Sequence, residues 1–178
     1  MNRTLKNILK IIAVLIVVFL AIAAFLPGDY RVERKTSIAA SPAAIFPHIN
    51  DHRKMAVWSP WVKMDPEVKL TYSGPRAGKG AVVAWDGDRS GAGTSTIADS
   101  KYNKLVKYNL VFTRPFEATS TAEISLAREG GKTTVTWVMF GTNNYVGKVI
   151  GLVMNCEKMI SREFDKGLAD LKATVEKR

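Results

Sequence analysis

Four carboxylates in the sequence are candidates for acid–base chemistry. They are Asp65, Asp86, Glu117 and Glu123. A carboxyl group inside an apolar cavity has a raised pKa and can exchange a proton near neutral pH. Charged side chains in strands more often point to solvent, and this simpler explanation holds for each of the four. The sequence therefore offers candidates for an acid or base but identifies no catalytic residue.

Metal and thiol chemistry have weaker support. His48 and His52 have the i, i+4 spacing that places two imidazoles on one helix face, but Asn50-Asp51 interrupts the helix between them and no third ligand is evident. The single cysteine, Cys156, lies on the apolar side of a predicted helix, where we expect a buried, unreactive thiol. Motifs of serine hydrolases, zinc proteases and P-loop enzymes are absent. We expect no metal centre and no bound cofactor.

The candidate groups are positioned by a predicted series of strands. Alternating apolar residues separated by glycine turns predict six strands, near residues 68–72, 81–85, 93–98, 106–112, 122–126 and 135–139. A further strand covers Tyr30–Ile38. Between it and the six lie two predicted short helices, one beginning at Ser41-Pro42 and one running from Asn50-Asp51 to about Val57. Trp58 and Trp61 follow in a predicted loop.

The C-terminal segment, from about Asn143 to Arg178, predicts one long amphipathic helix. Its apolar stripe is formed by Val149, Leu152, Val153, Cys156, Met159, Ile160, Phe164, Leu168, Leu171 and Val175. Gly147 and Gly151 fall near its start and indicate a close approach or a bend. The stripe needs an apolar partner, and a sheet is the one available. A single helix does not cover a broad sheet, so a cavity between the two is expected.

Residues 1–28 predict a membrane anchor. Ile8–Leu26 is apolar except for Lys10 and ends at Pro27-Gly28. As a helix it spans about 28 Å, close to the roughly 30 Å of a bilayer's hydrocarbon core. A cleaved signal peptide is the alternative, since Ala21-Ile22-Ala23 could serve as a cleavage site, but the apolar run exceeds the usual signal length. We expect a single-pass anchor followed by a soluble domain over residues 29–178.

The charge distribution bears on orientation and on partners. Arg3 and Lys6 precede the apolar run and predict a cytoplasmic N-terminus with an exported domain, although basic residues just beyond the run weaken this asymmetry. The net charge of +10 includes the anchor's basic residues. Lys101, Lys104 and Lys107 surround a predicted hairpin, where a solvated face is the commoner explanation, so we expect no nucleic-acid partner.

This order of elements resembles the helix-grip fold of the START-like superfamily. At residue level the chain resembles SRPBCC proteins of the polyketide cyclase/dehydrase and lipid transport type. The similar stretches are 49–51, 58–61, 71–75, 114–117 and 141–144. The resemblance implies an α+β fold in which a curved seven-stranded antiparallel sheet wraps around a long C-terminal helix, with two short helices after the first strand. It also implies an apolar or amphipathic ligand bound between sheet and helix.

The sequence therefore predicts a membrane-anchored protein that binds or transports a hydrophobic small molecule or lipid. Large aromatic and methionine side chains are the candidate walls of the cavity, with core filling as their simpler explanation. The predicted ligand-binding residues are Trp58, Trp61, Trp85, Tyr108, Phe112, Trp137, Met139 and Met154. Two alternatives stay open: a cyclase or dehydratase that uses a cavity carboxylate, and a chaperone-like interaction module. The ligand and the oligomeric state are not predicted.

Overall fold

The computed structural model describes residues 3–153 and 155–177 of the 178-residue chain. An N-terminal helix, α1 (Arg3–Phe25), precedes a seven-stranded antiparallel sheet with strand order β1-β7-β6-β5-β4-β3-β2. The strands are β1 (Asp29–Ile38), β2 (Lys69–Ser73), β3 (Val82–Gly87), β4 (Gly91–Lys101), β5 (Leu105–Arg114), β6 (Ala118–Glu129) and β7 (Lys132–Thr142). The other helices are α2 (Pro42–Asn50), α3 (His52–Trp58), α4 (Pro60–Met64), α5 (Tyr145–Val153) and α6 (Cys156–Glu176). The predicted α+β helix-grip fold is confirmed.

Three short helices, rather than the predicted two, follow β1. Ser41 caps α2 and accepts a hydrogen bond from the Ala44 amide, and Asp51 ends α2 and caps α3, as the sequence indicated. The predicted loop after Trp58 is wrong, because Ser59-Pro60 starts α4 with proline at its first position. Trp58 therefore ends one helix and Trp61 lies in the next.

The C-terminal segment forms two helices instead of one continuous helix. The Asn155 side chain accepts a hydrogen bond from the Lys158 amide and so caps a new helix, α6. Asparagine stabilises helix starts more than helix interiors, and this local preference divides the apolar stripe. Phe164 and Leu168 are buried, whereas Leu152 and Met159 are exposed. Only α6 therefore acts as the helix that the sheet wraps around.

Helix α6 runs along β1 in the same direction. Arg34 of β1 donates to Asp165 at 3.3 Å, and the Ala39 amide, just after β1, donates to Glu176 at 2.7 Å. The first turn of α6 therefore lies near the start of β1. Two register shifts between β4 and β5, next to Gly93 and after Ile97, add curvature to the sheet.

One end of the sheet, where strands begin and end, lies next to α1. The register brings together the start of β1 at Asp29, the end of β7 at Thr142, the start of β6 at Ala118 and the end of β5. Residues 26–28 join α1 directly to β1. We call this end of the sheet the α1 end. By length and composition α1 itself is apolar enough to cross a membrane.

Candidate functional site

The middle of the space between sheet and α6 is filled by aromatic rings. Trp137 of β7 stacks on Phe164 of α6 with ring centroids 4.0 Å apart and planes 7° apart. The Trp58 ring meets Trp137 edge-on at 5.4 Å, and its Nε1 donates to the His48 carbonyl at 3.0 Å. All three rings are buried. This part of the interior is closed core.

Gly167 allows α6 to lie this close to the sheet. A Cβ at this position would come within 2.8 Å of the Trp137 ring and 2.9 Å of Pro60 Cδ, closer than real Cβ contacts. Helix, β7 and α4 therefore meet at a point that only glycine fits. The Trp137 Nε1 atom is buried there with no hydrogen-bond partner among the described residues.

Burial of the inner sheet face decreases toward the α1 end. One cross-strand row, from Val32 on β1 through the paired positions of β7, β6 and β5 to Ile97 on β4, is entirely buried. The next rows contain Leu110, which pairs with Ser120, and Phe112, which pairs with Ala118. Leu110 and Phe112 are only half-buried. The inner face is thus closed in its middle and open at the α1 end.

Five residues define this open end of the inner face. They are Tyr30, Trp85, Leu110, Phe112 and Ser120. The Trp85 and Phe112 rings meet edge-on at 5.5 Å, and Trp85 Nε1 donates to the Ser90 carbonyl at 3.3 Å. Gly93 lies beneath Trp85, where a Cβ would be 2.5 Å from the indole. The rings therefore form an apolar floor along β3, β4 and β5.

A hydroxyl pair lies beside this apolar floor. The Tyr30 phenol and the Ser120 hydroxyl are 2.5 Å apart and join β1 to β6 across β7. Burial raises the pKa of Tyr30, and the bond to Ser120 opposes that rise. The phenol therefore stays neutral at physiological pH and can donate or accept a hydrogen bond. It is the polar group of a largely apolar surface.

A cavity of about 430 Å³ opens at the same end. It is lined by residues 111–113 of β5, 117–119 around the start of β6, and 142–144 between β7 and α5. Phe112 and Ala118 belong both to this cavity and to the inner face. The cavity therefore adjoins the open end at Phe112 and Ala118.

The four candidate carboxylates lie in four different environments. Asp65 is buried and accepts hydrogen bonds from Ser90 and the Arg89 amide, which hold its pKa below the usual range. Asp86 pairs with Arg114 and Glu123 with Lys107. Glu117 is exposed at the cavity. Asp65 thus fixes the β3–β4 turn, and the other three carboxylates are not buried.

The histidines and the cysteine are also separated. His48 lies in α2, whereas His52 is buried at the start of α3, and burial lowers the pKa of both. Within residues 3–153 and 155–177 no group of three His, Cys, Asp or Glu side chains could hold a metal ion. The expectation of a buried Cys156 is wrong, because the thiol lies in the first turn of α6 and is half-buried.

The predicted ligand-binding residues fall into three groups. Trp85 and Phe112 lie at the open end, and Trp61 is half-buried on α4. Four lie in the closed core, namely Trp58, Tyr108, Trp137 and Met139, with Tyr108 donating to the Ile49 carbonyl and its pKa raised by burial. Met154 lies outside the described residues. Sequence reasoning missed Tyr30 and Ser120, because only strand pairing brings them together.

Comparison with known proteins gives the family. A model of the family described as polyketide cyclase/dehydrase and lipid transport matches residues 29–176. The chain belongs to this family. Among curated proteins no match is found.

Solved structures share the fold at low sequence identity. Protein CV1439 from Chromobacterium violaceum has 17% identity and a TM-score of 0.60, covering 86% of this chain and 100% of its own. The Aha1 dimer from Colwellia psychrerythraea has 14% identity and a TM-score of 0.60, with 83% and 97% covered. StfQ, a di-domain ARO/CYC from the steffimycin biosynthetic pathway, has 13% identity and a TM-score of 0.63, with 84% and 51% covered. These likenesses establish the fold alone.

Proposed function

We propose that this protein is a membrane-anchored binder or carrier of a hydrophobic small molecule or lipid, and that the ligand occupies the open end of the inner face. The observation that carries this proposal is the gradient of burial along that face. Tyr108 of β5 is buried, whereas Leu110 and Phe112, the next two residues of β5 on the same face, are half-buried. A ligand with an apolar body would cover these side chains.

The driving force is the removal of apolar surface from water. It is worth about 25 cal/mol per Å² before the costs of association. Trp85 and Phe112 supply broad ring surfaces, and such surfaces accept varied apolar shapes. The Tyr30–Ser120 hydroxyl pair would then bind the polar end of the ligand and set its direction.

The apolar helix α1 supports the membrane part of the proposal. It has 23 residues and continues into β1 after a short linker. The open end of the inner face lies at the α1 end of the sheet, where the linker joins β1. A ligand could therefore pass between bilayer and protein without crossing a long aqueous distance.

Equilibrium binding of a fluorescent acyl-chain probe to the full chain in amphipol tests the proposal. Leu110→Arg and Phe112→Arg place a charge on the apolar floor. We expect each to weaken probe binding by about tenfold or more, which corresponds to roughly 1.4 kcal/mol. The matched control is Tyr102→Arg, at the exposed tip of the β4–β5 hairpin at the opposite end.

Two results would contradict the proposal. One is wild-type affinity in both floor variants while their folds are retained by circular dichroism. The other is an equal loss of affinity in the Tyr102→Arg control, since that would attribute binding to net charge or to the amphipol. Retained binding in the control with loss at the floor supports the assignment.

A further inference from the structure

Helix α5 packs on α1 and not on the core. Tyr145 of α5 donates a hydrogen bond from its hydroxyl to the Leu20 carbonyl of α1 at 2.9 Å. Ala23, one turn further along α1, is fully buried, although most of α1 is exposed. The α1–α5 contact is the main contact of α5 with any other element. Whatever environment surrounds this part of α1 therefore also meets α5.

This contact places α5 beside the apolar run of α1, before the C-terminal end of that run. Leu20 precedes Leu26, the last residue of that run, by six residues, which is about 9 Å along a helix. If α1 spans a bilayer, α5 thus lies at the depth of the outer acyl chains and the headgroup boundary. Water would not solvate it there.

The surface of α5 is suited to that depth. Exposed apolar side chains on it are Tyr145, Val146 and Leu152, at 47%, 51% and 40% exposure. The only charged residue of the helix is Lys148, whose Cε lies near Gly28 in the linker, beyond the C-terminal end of α1. A lysine that directs its ammonium away from the apolar layer is typical of membrane interfaces.

A second segment extends this surface. Phe116, in the β5–β6 loop at the α1 end, is 53% exposed. Its neighbour Glu117 lines the same cavity as Asn143 and Asn144, which immediately precede α5. Next along the chain, Lys158 and Arg162 in the first turns of α6 belong to no ion pair within residues 3–153 and 155–177, whereas Glu157 and Glu163 add acidic charge in the same turns. The exposed apolar side chains at the α1 end are thus followed along the chain by a charged segment with two basic residues that are unpaired among the described residues.

We propose that α5 and the Phe116 loop form a second membrane contact, inserted into the interface of the lipid bilayer beside the anchor. This inference rests on the proposed anchoring by α1. The bilayer is the occupant that the surface fits, because α5 packs against the apolar helix α1 and is followed by Lys158 and Arg162, which are unpaired in the described part of the chain and can meet anionic headgroups. The insertion holds the open end of the inner face against the lipid.

Depth-dependent fluorescence quenching tests this surface in the full chain. In a Cys156→Ser background, single cysteines replace Phe116, Val146 and Leu152, with Val17→Cys as the anchor control and Tyr102→Cys as the far-end control. Each carries an environment-sensitive NBD label. The chains are reconstituted into vesicles of phosphatidylcholine and phosphatidylglycerol, and quenching by doxyl-labelled lipid is compared with quenching by aqueous iodide.

The proposal predicts strong doxyl quenching and weak iodide quenching at positions 17, 116, 146 and 152, and the reverse at 102. If position 17 is in lipid while 116, 146 and 152 are open to iodide, the second contact is refuted and the anchor stands. If position 17 is open to iodide, the anchor fails and this inference fails with it. Protection of 146 and 152 from both quenchers would overturn the bilayer as the occupant in favour of a protein surface.

Discussion

At the scale of single residues, Trp137 fills the space between the sheet and α6. Its ring lies between Trp58 and Phe164, and Gly167 removes the Cβ that would separate helix and sheet. The indole nitrogen has no partner in the described part of the chain. The ring therefore contributes by packing, and its N–H contributes nothing favourable to folding.

Two substitutions separate packing from hydrogen bonding at this position. Trp137→Ala should cost about 3–5 kcal/mol of unfolding free energy, because it leaves a large cavity beside Phe164. Trp137→Phe keeps an aromatic ring and removes the unpartnered N–H, so its cost should stay below about 1.5 kcal/mol. Denaturant unfolding of the reconstituted chain measures both. Equal losses would contradict the prediction that an aromatic ring at this position supplies most of the stabilisation.

Burial of His52 predicts a pH dependence of the unfolding free energy. Burial holds its pKa below the 6.5 of an exposed imidazole. As the pH falls below about 6.5, the unfolded chain binds protons that the folded chain does not, so the unfolding free energy decreases with decreasing pH. His52→Gln should flatten this decrease between neutral pH and the folded-state pKa.

Thermal unfolding at a series of pH values measures the effect. His48→Gln is the matched control, because His48 is less buried and its replacement should leave most of the slope. A slope unchanged in His52→Gln would assign the dependence to other groups.

At the scale of elements, the strands were more predictable than the C-terminal helix. Alternation in β5, β6 and β7 placed Tyr108, Ile124 and Trp137 inward, because a half-buried sheet imposes a period of two. The apolar residues of α5 and α6 share one helical period, so the pattern predicted one stripe. It could not indicate that α5 contacts α1, since both a sheet and another helix satisfy an apolar face.

Helices α5 and α6 differ in the space around their glycines, Gly151 and Gly167, where an alanine would add a methyl group. Gly167→Ala in α6 forces a Cβ against Trp137 and Pro60 and should cost about 1–3 kcal/mol. Gly151→Ala in α5 has no neighbour within 4 Å and should stabilise that helix, by up to about 1 kcal/mol. Chemical denaturation of each variant tests the pair. A destabilising Gly151→Ala would mean that α5 packs closely there.

At the scale of the whole molecule, the fold and the site were predictable to different degrees. The order of helices and strands, with the motifs around Trp58-Ser59-Pro60-Trp61, was enough for the family. The open end was not, because it depends on strand register that joins Tyr30 to Ser120 and on how far α6 covers the sheet. Large aromatic residues occur both in the closed core and at the open end, so residue type alone could not separate them.

The proposed function requires that an apolar ligand occupies the open end of the inner face. Photo-crosslinking of the full chain in vesicles with a diazirine-bearing phospholipid, mapped by peptide mass spectrometry, tests it most directly. We expect adducts on Leu110 and Phe112 in addition to those on α1, and their loss when an excess of unlabelled lipid competes. Adducts confined to α1, α5 and the Phe116 loop would contradict it, because the lipid would then surround the protein without entering it.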